Sequence, residues 1–363
     1  MKVLLAISET PPQHSGVARV AGNLSAAWRE RGHEVDVLSI RDTGRVSIGE
    51  VRLTGLLPRW PSLRKRVDAA DVVTVFGPAP TFSDALLALL ALRRGHRPPV
   101  VYTHVFDIDF PLLAPACAAY NWLHRRLANA ADHIVVPTQS YARTFGAAER
   151  RGKLSVIPWG MDAPEFPKIE KAEQFTALFV GQLRPYKGVS TLLEAARAVP
   201  EARIVIAGDG PERARLERQA REIAPNVSFA GRVSDEELTG LYARAHAVVL
   251  PSVSRLEAFG IVLVEGMAAG CVPVASALPG VTDVVGDAGY TFRPGDAEAL
   301  GHILAELSAN DADRRERSDR ARARSKQYSW ARTADEHLRV YESLVNATST
   351  AYAPFGLAAG CAA

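Results

Sequence analysis

Short apolar runs alternate along the chain with segments whose apolar residues recur at helical spacing. The first run, Val3–Ile7, predicts a buried strand, and Pro11-Pro12-Gln13-His14-Ser15-Gly16 predicts a loop after it. Val17, Val20, Leu24, Ala27 and Trp28 then follow a helical period, Gly32 stops that helix, and Val35–Leu38 starts the next strand. This βαβ opening is the pattern of a doubly wound sheet. Further strands are predicted at Val72–Phe76, Val100–Thr103, Ile134–Pro137 and Leu154–Ile157, with helices between them at Ser83–Arg94 and Pro115–Ala130. Trp122, at helical spacing from apolar neighbours, is expected in the core.

A stretch rich in turn formers, Pro158-Trp159-Gly160-Met161-Asp162-Ala163-Pro164, interrupts the pattern and predicts a linker. A second alternation begins beyond it. Its strands are predicted at Ala177–Val180, Ile204–Ala207, Val227–Phe229, Ala247–Leu250 and Val272–Ala275. Its helices are predicted at Val189–Val199, Pro211–Ile223, Asp235–Arg244 and Ile261–Ala269. A charged helix, Asp311–Gln327, and a one-sided apolar helix from Trp330 follow. The expected fold class is α/β, with two doubly wound, Rossmann-like parallel-sheet domains facing a cleft. The expected boundaries are 1–165, 166–328, a C-terminal helix 329–347 packing toward the first domain, and a flexible tail 348–363.

Composition narrows the class. At 363 residues the chain is too long for one ordinary core, which favours two domains. Hydrophobic residues make up 47% and charged residues 23%, the balance of a globular protein. No apolar run is long enough to span a membrane, and the first strand is too short for a signal peptide. Cys117, Cys271 and Cys361 are far apart and odd in number, so neither a disulfide framework nor a zinc site is expected. A cytoplasmic protein is expected. The net charge of +3 is too small to indicate a nucleic-acid partner. Residues 1–165 hold 20 Lys and Arg against 15 Asp and Glu, and the remainder holds 23 against 25. The basic stretch Arg59–Arg66 fits a solvated helix face; contact with an anionic acceptor or with the inner face of a membrane is the alternative.

The candidate chemistry lies in the second half. Ser254 to Gly270 holds two carboxylates, Glu257 and Glu265, on either side of Phe259-Gly260-Ile261. The residues before it read as a strand and those after Gly260 as a helix, whose start offers free N–H groups and a positive dipole end to an anion. Gly181-Gln-Leu-Arg184-Pro-Tyr-Lys187-Gly188 also joins a strand to a helix; its glycines permit close backbone approach and its two cations can neutralise a diphosphate. Gly208-Asp209-Gly210-Pro211 and Gly231-Arg232-Val233-Ser234 end two further strands on the same sheet edge.

Taken in order, these stretches resemble the retaining glycosyltransferases of the GT-B fold, family 4. The likeness runs over nearly all of residues 1–347. It includes Ser15-Gly16-Val17-Ala18-Arg19-Val20, Arg31-Gly32-His33-Glu34-Val35, Gly181–Gly188, the Glu257–Glu265 pair and Pro279-Gly280-Val281. The resemblance implies a hexose moved from a nucleotide-diphosphate donor, a UDP-sugar first and a GDP-sugar second, to a hydroxyl acceptor, with no metal or other cofactor. It implies that Arg184 and Lys187 hold the diphosphate, with Gly16 approaching it from the first domain. The N–H groups of Phe259, Gly260 and Ile261 are implied at sugar and phosphate. Glu257 is implied at the sugar hydroxyls, Glu265 at the ribose, and Gly231 and Val233 near the base. His104 is implied close to the anomeric carbon. Ser15, Ala258 and Trp159 depart from the family's usual residues, which touches fine donor geometry.

Two other readings share this architecture: a nucleotide-sugar epimerase, and a non-catalytic nucleotide-sugar-binding protein. Asp107-Ile108-Asp109 has the form of a metal-binding pair but lies away from the diphosphate loop, so an acceptor-side or structural role is expected. His14, His124 and His133 are expected in loops or at the surface.

Overall fold

Two sets of short strands, the central ones too apolar to face water on either side, pair into two parallel sheets covered by helices. The computed structural model describes residues 1–11, 15–43, 45–48, 51–54, 60–93, 97–110, 113–161, 166 and 171–351. His14, Arg59, Arg94, residues 162–164 of the predicted linker and residues 352–363 of the predicted tail lie outside the described residues.

In the first domain β1 (Lys2–Ala6) leads to α1 (Gly16–Glu30), β2 (Glu34–Leu38) and a short α2 (Ile40–Thr43). A two-stranded antiparallel pair, β3 (Arg45–Ile48) and β4 (Val51–Thr54), follows; the sequence reading did not anticipate it. Then come α3 (Trp60–Asp68), β5 (Val72–Gly77), α4 (Ser83–Leu92), β6 (Val100–His104), α5 (Ala114–Ala128), β7 (His133–Val136), the one-turn helices α6 (Gln139–Ala142) and α7 (Gly146–Glu149), and β8 (Leu154–Val156). The sheet order is β2-β1-β5-β6-β7-β8.

The second domain holds β9 (Thr176–Val180), α8 (Val189–Ala196), β10 (Arg203–Ala207), α9 (Arg213–Ile223), β11 (Val227–Gly231), α10 (Asp235–Arg244) and β12 (Ala247–Leu250). It continues through α11 (Ile261–Ala268), β13 (Val272–Ser276), α12 (Val281–Val285), β14 (Tyr290–Phe292), α13 (Ala297–Ala309) and α14 (Asp311–Ser325). Its order is β11-β10-β9-β12-β13-β14, with two strands on one side of β9 and three on the other, against one and four about β1 in the first sheet. In each sheet the first strand is flanked by strands reached in opposite directions. The switch point therefore falls between β1 and β5 in one domain and between β9 and β12 in the other.

The last helix, α15 (Trp330–Ala351), returns to the first domain and packs on α1. The Trp28 ring meets Tyr341 edge-on at 5.5 Å, its Nε1 donates to the Ala334 carbonyl, and Arg31 pairs with Asp335 at 2.6 Å. Residues 348–351, expected in a flexible tail, are the last turn of this helix. Where α15 starts, it crosses the interdomain segment. Thr333 Oγ1 donates to the Pro158 carbonyl at 2.8 Å, and a Cβ on Gly160 would lie 2.3 Å from the Trp330 nitrogen, so only glycine fits there. One core runs across this junction and joins Trp28, Trp159, Leu263, Met267 and Tyr341. Separate cores fill the outer faces of the two sheets.

Candidate functional site

The loops after β1, β5, β9 and β12 meet at a cavity of about 720 Å³ between the domains. This is within the usual volume of a small-ligand site, and it lies where open α/β sheets take ligands. Ser8, Glu9, Gly16, Pro80, Phe106, Ile108 and Trp159 face it from the first domain. Gln182, Arg184, Tyr186, Lys187 and the segment Leu256–Ile261 face it from the second.

Two glycines shape the second-domain wall. Gly188 has φ +64° and passes so close to the Pro251 carbonyl that a Cβ would sit 2.0 Å from its oxygen. This brings the 181–188 loop against the segment after β12. Gly260, at φ +78°, is the residue before α11; its left-handed turn directs the helix's free N–H groups at the cavity. Between these loops Lys187 Nζ lies 2.5 Å from Glu257 Oε2, and Ser252 Oγ lies 3.4 Å from the same oxygen. Burial works against the Lys187 ammonium, but the Glu257 carboxylate outweighs it and raises its pKa. Lys187 is therefore a fixed cation at the cavity wall. Arg184 Nε bonds Gln182 Oε1 at 2.9 Å.

Among the described residues, polar contacts bridge the domains at three places. Arg19 on α1 pairs with Glu265 on α11, and the Tyr242 hydroxyl donates to the other Glu265 oxygen at 2.8 Å. The Glu265 carboxylate raises the Arg19 pKa. Asp109 accepts the Arg255 N–H at 2.8 Å and the Ser254 hydroxyl at 3.1 Å, so a first-domain carboxylate holds the turn that carries Glu257. Asp283 accepts the Ser140 N–H at 2.6 Å and its hydroxyl at 2.9 Å.

The structure departs from the sequence reading at His104. Strand side chains alternate between faces, and His104 shares the face of Tyr102 under α5 and α6, whereas Val105 and Phe106, past the strand's end, reach the cavity. His104 is 1% exposed, packed by Tyr141 and Phe145, with Nδ1 3.1 Å from the Tyr102 hydroxyl and Nε2 3.4 Å from Asp107 Oδ1. Burial lowers its pKa despite Asp107, which keeps the ring neutral near pH 7. Burial acts to raise the Asp107 pKa, but His104, Arg125 and Arg255 hold it below the usual carboxylate value. His124, expected near the surface, is also buried; it lies 2.6 Å from the Tyr102 hydroxyl and 2.5 Å from Asp84. Trp122, expected in the core, is 55% exposed.

Of the sequence-predicted site residues, Gly16, Arg184, Lys187, Glu257, Phe259, Gly260 and Ile261 line one cavity. His104, Gly231, Val233 and Glu265 are not on its wall: Gly231 accepts the Gly208 N–H at the β10–β11 edge, and Val233 packs at the margin of the shared core. Arg19, Tyr242 and the bridging role of Asp109 have no local sequence signal, because each contact joins residues far apart in the chain. Among the described residues no three His, Cys, Asp or Glu side chains gather as metal ligands.

Comparison with known proteins places this geometry in a family. Residues 162–324 match the family described as Glycosyl transferases group 1, and residues 14–164 match Glycosyltransferase Family 4. The chain is 32% identical over 282 residues to a D-rhamnosyltransferase, WbpZ, of Pseudomonas aeruginosa, covering 74% of this chain and 72% of that one. It is 26% identical over 374 residues to the O-antigen chain mannosyltransferase C of Escherichia coli, covering 93% and 97%. The crystal structure of Anabaena HepE in complex with UDP superposes with a TM-score of 0.73 at 20% identity, over 94% of this chain and all of that one. This likeness identifies the two-domain arrangement as the GT-B fold.

Proposed function

The chain belongs to the group 1 glycosyltransferases of family 4, an enzyme family, and on that premise we propose that it moves a manno-configured hexose from a nucleotide-diphosphate donor to a hydroxyl acceptor with retention at the anomeric carbon. The observation that carries this reading is the Lys187–Glu257 pair at the cavity wall beside the helix start at Gly260. It brings together a cation and free N–H groups for a departing diphosphate and a carboxylate for sugar hydroxyls.

Transfer builds positive charge at the anomeric carbon and negative charge on the leaving diphosphate. Lys187, Arg184 and the N–H groups from Phe259 to Ile261 stabilise the latter; removing one such group typically costs on the order of a hundredfold in rate. Gly16 presents backbone to the same region. Glu257 takes the sugar hydroxyls and shares Lys187 with the arriving phosphate. Glu265 exchanges its cross-cleft partner for ribose hydroxyls, with Gly231 and Val233 toward the base. The acceptor attacks on the face the diphosphate leaves, and the leaving phosphate takes its proton. His104 acts from beneath the floor, setting the 105–110 segment through Asp107.

The names of the rhamnosyl and mannosyl relatives support a mannose or 6-deoxymannose donor. The UDP-bound neighbour supports a uridine nucleotide, with guanosine the second candidate. A lipid-linked or glycan hydroxyl is the proposed acceptor. Thermal-shift screening of UDP- and GDP-sugars, followed by mass spectrometry of products, tests the reading. The Glu257→Ala variant is expected to fold and lose transfer; wild-type turnover by that variant overturns the site.

A further inference from the structure

Among the described residues five large hydrophobic side chains are strongly exposed, and four of them gather on one side of the first domain: Leu92 ends α4, Leu113 precedes α5, and Trp122 and Leu123 lie on α5. The two helices pack side by side. The exposed positions of α5 are Ala114, Pro115, Ala116, Ala118, Ala119, Trp122, Leu123 and Arg126, so from 114 to 123 the outward face carries no charge and Arg126 closes it. A helix face open to water normally carries its polar residues there. Cations stand at the margin. Arg126 lies over the Trp122 ring at 4.0 Å, and exposed Arg64 and Lys65 sit on α3, which covers the same sheet face. Together α3, α4 and α5 hold five cations and two carboxylates; Arg66 and Arg125 are held by Asp36 and Asp107, and Asp84 is turned inward onto His124 and Tyr120, which leaves Arg64, Lys65 and Arg126 outward against Asp68.

We propose that this α4–α5 face is a lipid-contact surface that seats the first domain on an anionic bilayer, Trp122 and Leu123 entering the headgroup region while Arg126, Arg64 and Lys65 meet lipid phosphates. An apolar strip edged by cations, with an indole stacked beneath a guanidinium, has the chemistry of an interfacial helix and not of a protein-binding groove. The surface is not the basic 59–66 stretch alone: the anchor is the uncharged outward face of α5 from 114 to 123, and α3 supplies the flank. It also has a direction. The segment 105–110, which lines the cavity, leads into α5, so lipid against α5 lies next to the rim of the cleft. That link to a lipid-borne acceptor rests on the proposed transfer reaction; the surface itself does not.

The test is sedimentation of the full chain with phosphatidylcholine vesicles, with and without phosphatidylglycerol. The protein is expected to pellet with the anionic vesicles and to be released by raised salt. Trp122→Ser/Leu123→Ser is expected to lower vesicle affinity by about tenfold or more while its melting temperature and nucleotide binding stay at wild-type values. Wild-type protein that stays in the supernatant, a double variant that pellets like wild type, or equal binding to neutral vesicles overturns the proposal. So does a double variant that only turns a dimer into monomers. Loss of nucleotide binding with vesicle binding intact counts against the transfer reading and leaves the surface standing.

Discussion

Arg19 on α1 and Glu265 on α11 are paired across the cleft, and the same carboxylate accepts the Tyr242 hydroxyl. If Glu265 serves the ribose, Arg19 competes with the nucleotide for it. The Arg19 side chain is 46% exposed, so the pair contributes only about 0.2–1 kcal/mol. Arg19→Ala is therefore expected to tighten nucleotide binding by up to about fivefold in calorimetry, whereas Glu265→Gln is expected to weaken it by about tenfold. A clear loss of affinity in Arg19→Ala would make Arg19 a donor contact itself.

Lys187 and Glu257 face each other with little solvent around them. Removing one member leaves the other buried without a counter-charge, at a cost of about 3 kcal/mol or more. Lys187→Ala is expected to lower the unfolding midpoint and to reduce transfer by about a hundredfold. Adding nucleotide is expected to stabilise it far less than wild type. Wild-type thermal shifts with UDP and GDP in this variant would remove Lys187 from the diphosphate site.

Asp109 holds the turn that carries Glu257 from the opposite domain. Asp109→Ala is expected to reduce kcat by about tenfold or more, through loss of alignment. Asp109→Asn keeps an oxygen that accepts the Arg255 N–H and the Ser254 hydroxyl, and is expected to recover most of the rate. A purely structural role would lower stability in Asp109→Ala without this split. EDTA is expected to leave transfer unchanged, since both Asp107 and Asp109 are engaged by side chains or backbone; complete loss would put a metal at this pair.

His337 on α15 is fully buried among Trp28, Phe76 and Trp159, and burial lowers its pKa from the ordinary 6.5 to about 4. Between those values the unfolded chain takes up a proton that the folded chain refuses. The stabilising effect is thus full above pH 6.5 and is lost as pH falls toward 4, by about 3 kcal/mol for this group. His337→Phe is expected to flatten the decline of the urea midpoint across this window. An unchanged slope would assign the acid sensitivity to other groups.

Much of the fold was legible because each strand is a short apolar run and each crossover helix keeps its period. The β3–β4 pair had its signal too, a polar–apolar alternation bounded by Gly44, Gly49 and Gly55, but its strands of four residues are too short to stand out beside the long apolar runs. At the site, the loops after β9 and β12 were legible from Gly188, Lys187, Glu257 and Gly260, whose spacing is local. Arg19, Tyr242 and Asp109 were not, since their partners are set by the approach of two domains. His104 is expected near the anomeric carbon through the family resemblance; in the structure the pleat turns it away from the cavity, and one residue of register separates it from the wall. Trp122 lies outward and His124 inward because apolar spacing marks a helix without saying which face is covered, and a polar type such as His can be buried when Asp84 and Tyr102 satisfy it.

The covalent chain passes between the domains twice, near Gly160 and again just before α15, and the two passes touch at Trp330. Everything else that joins the domains is side-chain or loop contact: Arg19 to Glu265, Asp109 to the Ser254 turn, Ser140 to Asp283. The protein is therefore built like a clamshell with one spine. A swing of either lobe about that spine would part Glu257 from residues 105–110. In this architecture a hinge at the spine would bring both walls of the cavity together in one movement.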